Sequence, residues 1–250
     1  MTAVPESLTL CLDTSHGVAV ALLRDGAEVA AARSDETRRH VETLTPLITD
    51  CLQRSGATPA DVTEVAVGTG PAPFTGLRVG LVTARTFAAA RRIPVYGVSS
   101  LEAIAADAAE VGAEVLVATD ARRREVYWGR YRVTETGVET VAGPGVATAA
   151  DVAAEHADLV TAERVVGKGV GLYPEALAPA AGSDQPESGS RVVTTDQRTP
   201  APAPAARVVD AATVGRLARA RSAVGLEQPT QALYLRTPDI APPSGRKRAS

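Results

Sequence analysis

The residues that could do chemistry sit in a few short stretches. Residues 68–80 read GTGPAPFTGLRVG, with glycines at 68, 70, 76 and 80 and prolines at 71 and 73, ahead of a helical pattern. Glycine permits the close backbone approach and positive φ that an anion site at a helix N-terminus needs. A Walker loop would follow its last glycine with Lys and then Ser or Thr, and a dinucleotide fingerprint would read G-x-G-x-x-G. Here Gly76 is followed by Leu77 and Arg78, and Gly70 by Pro71, so neither template fits. Ser15 lacks the G-x-S-x-G elbow that exposes a nucleophile, and no Ser-His-Asp or Cys-His order is positively marked. Cys11 and Cys51 lie far apart, outside C-x-x-C spacing, and read as core residues. His16 and His156 read as exposed. His40 starts a helix, as a cap or surface residue or as an interface contact. Arg122, Arg123 and Arg124 read as a solvated cluster or as a polar contact to a partner.

These residues need elements to hold them. LTLCLD, GVAVALL and AEVAAAR, within residues 8–34, form an antiparallel meander, with Arg24-Asp25-Gly26 turning between the last two. Apolar residues at 41, 44, 47, 48, 51 and 52 keep a helical period, and Thr58-Pro59 opens a short turn. VTEVAVGT reads as a buried strand, residues 77–90 as a helix, IPVYGV as a strand and residues 99–109 as a helix. The order through residue 109 is βββαβαβα. AEVLVATD, EVYWGRYRV and residues 136–141 make a second meander. Residues 148–156 and 170–178 read as helical, around a short RVVGKG strand and loop. Residues 178–206 are rich in Ala, Pro, Gly and Ser, with one β-like patch, RVVTT, and read as a loop or linker. A helix over 210–223 and the segment QALYLRTPD close the fold, and residues 237–250 read as a disordered tail. The domains expected are an N-terminal lobe, 1–109, and a smaller C-terminal lobe, 110–236, with its insertion near 178–206.

The helix over 77–90 is apolar on two sides. At about 100° per residue, Leu77, Leu81, Ala84 and Ala88 share one face, and Val79, Val82, Thr86 and Ala90 lie broadly opposite. Only Arg78 and Arg85 carry charge, while Gly80, Thr83 and Ala84 are small enough for another helix to come close. The pattern marks a protein interface or a helix sandwiched within its own fold.

The whole chain excludes several classes. Its 250 residues carry 26 basic and 29 acidic side chains, a net charge of −3, which offers no general attraction for a nucleic-acid backbone. Two Phe and one Trp leave little for base stacking. There is no basic leader and no apolar run near the ~18 residues that span a bilayer, so a cytoplasmic protein without a membrane role is expected.

Two lobes of this type, the first opening with Asp13-Thr14-Ser15 after a strand, resemble the two-lobed α/β fold of actin, sugar kinases and chaperone ATPases, which is ribonuclease-H-like, here with a reduced second lobe. Phosphate in that superfamily sits between the lobes. Asp13, Thr14 and Ser15 would be a vestigial phosphate turn, Asp13 alternatively an end-of-strand hydrogen-bonding residue. The second turn, Asp120-Ala121-Arg122, lacks the expected glycine.

LCLDTS, HVETLTPLI, GTGPAPFTGLRVGLVTARTFA, PVYGVSSLEAIA, DARRREVYWGRY, VGKG and LYLR, in this order, resemble the TsaB (YeaZ) family. The family usually reads Gly-Pro-Gly-Ser before the Phe. Gly70-Pro71-Ala72-Pro73 departs from that and restricts the turn. The resemblance implies a non-catalytic subunit of the tRNA threonylcarbamoyl transferase complex, with no catalytic residue, cofactor or metal of its own. Its expected partners are a TsaD-like catalytic paralogue, a TsaE-like ATPase, and a second copy of itself when free; it would meet tRNA only through the complex. The paralogue's metal-binding His-x-x-x-His pair falls here on Ser100 and Ile104, and isoleucine cannot coordinate a metal. The expected interface comprises His40, Val41, Leu44, Leu47 and Ile48, then Phe74, Leu77, Arg78, Gly80, Leu81 and Ala84. The rival readings are a degenerate peptidase and a nucleotide-binding, kinase-like protein.

Overall fold

A computed structural model describes residues 6–36, 39–178 and 207–236. The expected linker with its RVVTT patch and the tail beyond 236 lie outside the described residues. In chain order the first lobe contains β1 (Leu8–Asp13), β2 (Val18–Arg24), β3 (Ala27–Ser34), α1 (His40–Arg54), β4 (Glu64–Gly68), α2 (Phe74–Arg91), β5 (Val95–Val98) and α3 (Ser100–Ala108). The second meander is β6 (Glu114–Asp120), β7 (Glu125–Thr134) and β8 (Gly137–Thr148). It is followed by α4 (Ala149–Glu155), α5 (Ala157–Thr161), β9 (Val165–Val166), α6 (Lys168–Leu172), α7 (Pro174–Leu177) and α8 (Ala211–Ala223).

Two mixed sheets result. The first has strand order β3-β2-β1-β4-β5 and the second β8-β7-β6-β9. In each, a meander pairs antiparallel and its first strand then takes a parallel neighbour: β4 beside β1, β9 beside β6. The second sheet thus repeats the first with one strand fewer, the two-lobed actin-like fold with a reduced second lobe.

All six residues of β1 are buried, as a strand covered on both faces requires. Successive side chains point to opposite faces. Leu8, Leu10 and Leu12 join the core under α1 and α2, whereas Cys11 joins a second core with α3 and α8. Helix α1 buries Leu44, Ile48, Cys51 and Leu52, the stripe its periodicity marked.

Three elements depart from expectation. Helix α2 starts at Phe74, three residues earlier than expected, directly after Pro73, whose ψ of 139° is non-helical. Strand β8 runs seven residues past the expected end at 141, through Gly143-Pro144-Gly145. Pro144 is tolerated because β8 is an edge strand with an irregular register there. Helix α8, expected in the second lobe, packs against β1, β2 and β4 of the first sheet.

Candidate functional site

The carboxyl ends of β1 and β6 face each other across a cleft of about 440 Å³, lined by Thr14, Ser15, His16, His40, Pro73, Thr75, Gly76, Asp120, Arg122, Lys168, Gly171 and Leu172. Both suspected turns therefore meet in one place, as their positions after the first strand of each meander predict.

Asp13, 2% exposed, anchors the first wall. Its carboxylate accepts from Ser100 Oγ at 2.6 Å, Ser15 N at 2.8 Å and Ser15 Oγ at 2.5 Å. Burial pushes its pKa up, against the pull of those bonds and of the Arg33 charge. Ser100 Oγ also accepts from Gly70 N at 3.1 Å, and Ser100 N donates to Gly70 O at 2.8 Å. The glycine-rich loop is thus tied to the start of α3 and the end of β1. It holds the chain where α2 begins, and Thr14 completes the tie: its hydroxyl donates to Gly76 O at 2.9 Å and accepts from Gly80 N at 3.1 Å.

Ser15 and His16 touch, Oγ to Nδ1 at 3.0 Å, but in the wrong order for a nucleophile. The serine proton goes to Asp13, so the ring nitrogen is left donating to Oγ rather than removing its proton. His16 is half-buried in a cation-rich setting: desolvation, then the charges of Lys168, Arg33 and Arg122, lower its pKa to about 3. His16 Nε2 is buried and unpartnered among the described residues.

The second turn is closed by its own aspartate. Asp120 accepts from Arg122 N at 2.7 Å and pairs with the Arg122 guanidinium at 3.2 Å. Arg122, Arg123 and Arg124 take φ of 64°, 54° and 63°, a left-handed run costing non-glycine residues roughly 1–2 kcal/mol each. Arg236 ties this hairpin down, donating to Ala121 O at 3.1 Å and pairing with Glu125.

Two readings of histidine are overturned. His156 is buried, its ring 4.8 Å from that of Trp128, and His16 is enclosed at the cleft wall; both are covered by chain far away in sequence. The expected interface list also changes. Leu44, Ile48, Leu77, Gly80, Leu81 and Ala84 are buried in the chain's own core, and Leu47 packs partly against it. Gly80 faces Thr14, not solvent. His40 lines the cleft, where burial lowers its pKa against the pull of Asp13. Phe74 stacks on Tyr234 at 4.7 Å, and Arg78 donates to the Tyr234 hydroxyl at 2.9 Å while lying over both rings. Of the eleven positions, Val41 stays 69% exposed on α1; on α2 the outward apolar residue is Val82, at 60%. Lys168, within the family-like VGKG stretch between Gly167 and Gly169, is a cleft residue that no motif chemistry marks. Ser100 has its hydroxyl engaged by Asp13 and Gly70, and Ile104 is buried in the core.

A family model described as TsaD, tRNA N6-adenosine threonylcarbamoyltransferase, matches residues 34–196. The structure of YeaZ from Pseudomonas aeruginosa is 30% identical, with a TM-score of 0.69 over 92% of this chain and 100% of that one. The chain belongs to the TsaB (YeaZ) family. A second Pseudomonas aeruginosa structure, described as having similarity to peptidase YeaZ, is 31% identical, with a TM-score of 0.68 and the same coverage. The TsaB of Escherichia coli, described as a tRNA threonylcarbamoyladenosine biosynthesis protein, is 39% identical over 52% of this chain and 57% of its own. An uncharacterized protein of Mycobacterium tuberculosis is 44% identical over 61% of this chain and 70% of its own. Among the described residues, no helix is long and apolar enough to cross a membrane.

Proposed function

We propose that this chain serves tRNA threonylcarbamoyladenosine biosynthesis as a non-catalytic subunit. It binds and activates a TsaD-like paralogue, which transfers threonylcarbamoyl to N6 of an adenosine beside the tRNA anticodon, with a TsaE-like ATPase as third member. The observation that carries the reading is family membership, the alignment spanning the whole of the YeaZ chain. The chemistry supports this: at the positions where the family resemblance puts the paralogue's metal ligands, Ser100 is hydrogen-bonded to Asp13 and Ile104 is packed in the core. The peptidase reading is disfavoured by Ser15, whose hydroxyl donates its hydrogen bond to the buried Asp13 carboxylate rather than to the His16 ring.

In this proposal the partner docks on the outer sides of α1 and α2, around the exposed Val41 and Val82, and the free chain pairs with a second copy through the same isologous surface. Reconstitution with the two partners and unmodified tRNA, read by nucleoside mass spectrometry, tests both statements. Modification requires this chain, and Val41→Asp with Val82→Asp lowers it about tenfold or more, as loss of interface anchors does, with circular dichroism unchanged. Full modification without the chain, or peptide or ATP turnover by the purified chain alone, would reject the proposal.

A further inference from the structure

The chain beyond α8 reaches both lobes without a regular element of its own. Residues 224–236 form neither helix nor strand, and none of them is buried, so discrete bonds rather than a core fix their course. The segment starts along β5. There Gly97 N donates to Gln228 O at 3.0 Å, and glycine is what lets the two backbones approach, since an added Cβ would collide with the Pro229 carbonyl. It then follows α2: Arg85 donates to Thr230 Oγ1 at 2.9 Å, Leu233 N donates to Thr69 O at 2.8 Å, and Arg78 donates to the Tyr234 hydroxyl at 2.9 Å while Phe74 stacks on the ring. Two residues further on, Arg236 crosses to the second lobe, donating to Ala121 O at 3.1 Å and pairing with Glu125.

The position of these bonds matters. The lobes share a core on the side of α3 and α8, whereas the carboxyl ends of β1 and β6 stand apart across the cleft. Arg236 bridges the lobes on that open side, because Ala121 sits between the cleft residues Asp120 and Arg122. The other end of the same segment grips Phe74 and Arg78 in the first turns of α2, one turn before Val82. A segment held by a few polar bonds outside the core opens locally at far lower cost than the core itself. Its hold is therefore releasable without unfolding the molecule.

We infer that residues 226–236 are a clasp between the lobes, with Tyr234 and Arg236 as its positioning residues. Through it the second lobe fixes the attitude of the start of α2, and with it the docking side around Val82; this last step rests on the reading that a TsaD-like partner docks there.

Amide hydrogen exchange of the full chain, followed by NMR, reads each end of the clasp separately. Glu125→Ala alters only the second-lobe end and should speed exchange at Leu233 and Gly97. Tyr234→Ala alters the α2 end and should speed exchange at Ala121 and Glu125, which bond to Glu125 O and Arg122 O across the hairpin turn. Each effect should reach up to about tenfold, the scale of one hydrogen bond to a charged group. Core amides of β1 are the internal control and should not change. Calorimetry with the TsaD-like paralogue should show weaker binding by Arg236→Met, again up to about tenfold, and parental binding by Arg236→Lys, which keeps the charge. The inference is overturned if either remote pair of amides exchanges as in the parent, if β1 accelerates equally, or if Arg236→Met binds the paralogue as tightly as the parent. A parent chain that binds no paralogue rejects the docking reading, and with it the effect on docking, while the exchange rates still decide whether the clasp couples the lobes.

Discussion

At the scale of single residues the cleft makes stability depend on pH through His16. Its folded pKa is about 3, against about 6.5 for an unperturbed imidazole. Between those values the unfolded chain binds more protons than the folded one, so stability rises with pH across that window and is lost as pH falls through it. Asp13 has the opposite sign. Its raised folded pKa contributes stability below the unfolded value near 3.8, lost as pH rises through the folded one. His16→Asn keeps a nitrogen donor toward Ser15 and removes only the imidazole's titration. Urea unfolding in phosphate-free buffer should give a flatter stability curve for the variant between roughly pH 3 and 6.5, the window set by the two His16 values. Parallel curves for the two proteins would show that His16 titrates normally. None of this was legible in the sequence, because Lys168 and Arg122 lie far from His16 along the chain and reach it only with the second lobe, while Arg33 comes to it through the pairing of β2 with β3. Asp13 was legible as an end-of-strand residue, since its place follows from the strand pattern alone.

At the scale of elements, α2 explains both what the sequence revealed and what it hid. Its inward stripe of Leu77, Leu81, Ala84 and Ala88 is buried, as periodicity requires. The opposite side looked like a free apolar face, but Val79 and Phe87 pack partly against the core. The chain after α8 occupies the charged stripe: Arg85 donates to Thr230 Oγ1 at 2.9 Å and Arg78 to Tyr234. A local pattern cannot reveal cover supplied by a segment some 150 residues away. Small residues on α2 had two readings as well, and Gly80 belongs to the chain's own packing. A Cβ there would stand 2.4 Å from Thr14 Oγ1 and 3.1 Å from Thr14 Cγ2. Gly80→Ala gains up to about 1 kcal/mol of helix propensity but overpacks β1's end, a cost of about 1–3 kcal/mol, and it disturbs the Thr14 bonds. Net destabilisation is expected. Adding Thr14→Ala opens the space, so the double variant should lose less than the sum of the singles, a coupling that a double-mutant cycle reads directly. Additive losses would mean that Gly80 and Thr14 do not share a contact.

At the scale of the whole molecule, the two sheets look like separable lobes in the sequence, yet they share a core. Cys11, Ala21, Leu23 and Ala66 of the first sheet, Leu101 and Ile104 of α3, Val115 and Val117 of β6, Tyr131 of β7, and Val214 and Leu217 of α8 form one buried cluster. Helix α8 is decisive. It follows the second lobe in sequence but covers the face of β1 opposite α1 and α2, so the first sheet is closed on both sides only after the chain has returned. Arg221 at its end pairs with Glu102 of α3 at 2.9 Å, both side chains largely shielded, which fixes the two helices to each other. A shared core of this kind favours all-or-none unfolding. Calorimetry of the full chain should therefore give one transition whose calorimetric and van't Hoff enthalpies agree, with far-ultraviolet dichroism and Trp128 fluorescence melting together. Truncation after residue 206 removes α8 and uncovers Cys11, Ala21, Leu23 and Ala66 at once, so that fragment should be insoluble or lack a cooperative transition. Two resolved transitions in the full chain, or a truncated fragment that melts cooperatively near the parent temperature, would instead establish the first lobe as an independent folding unit.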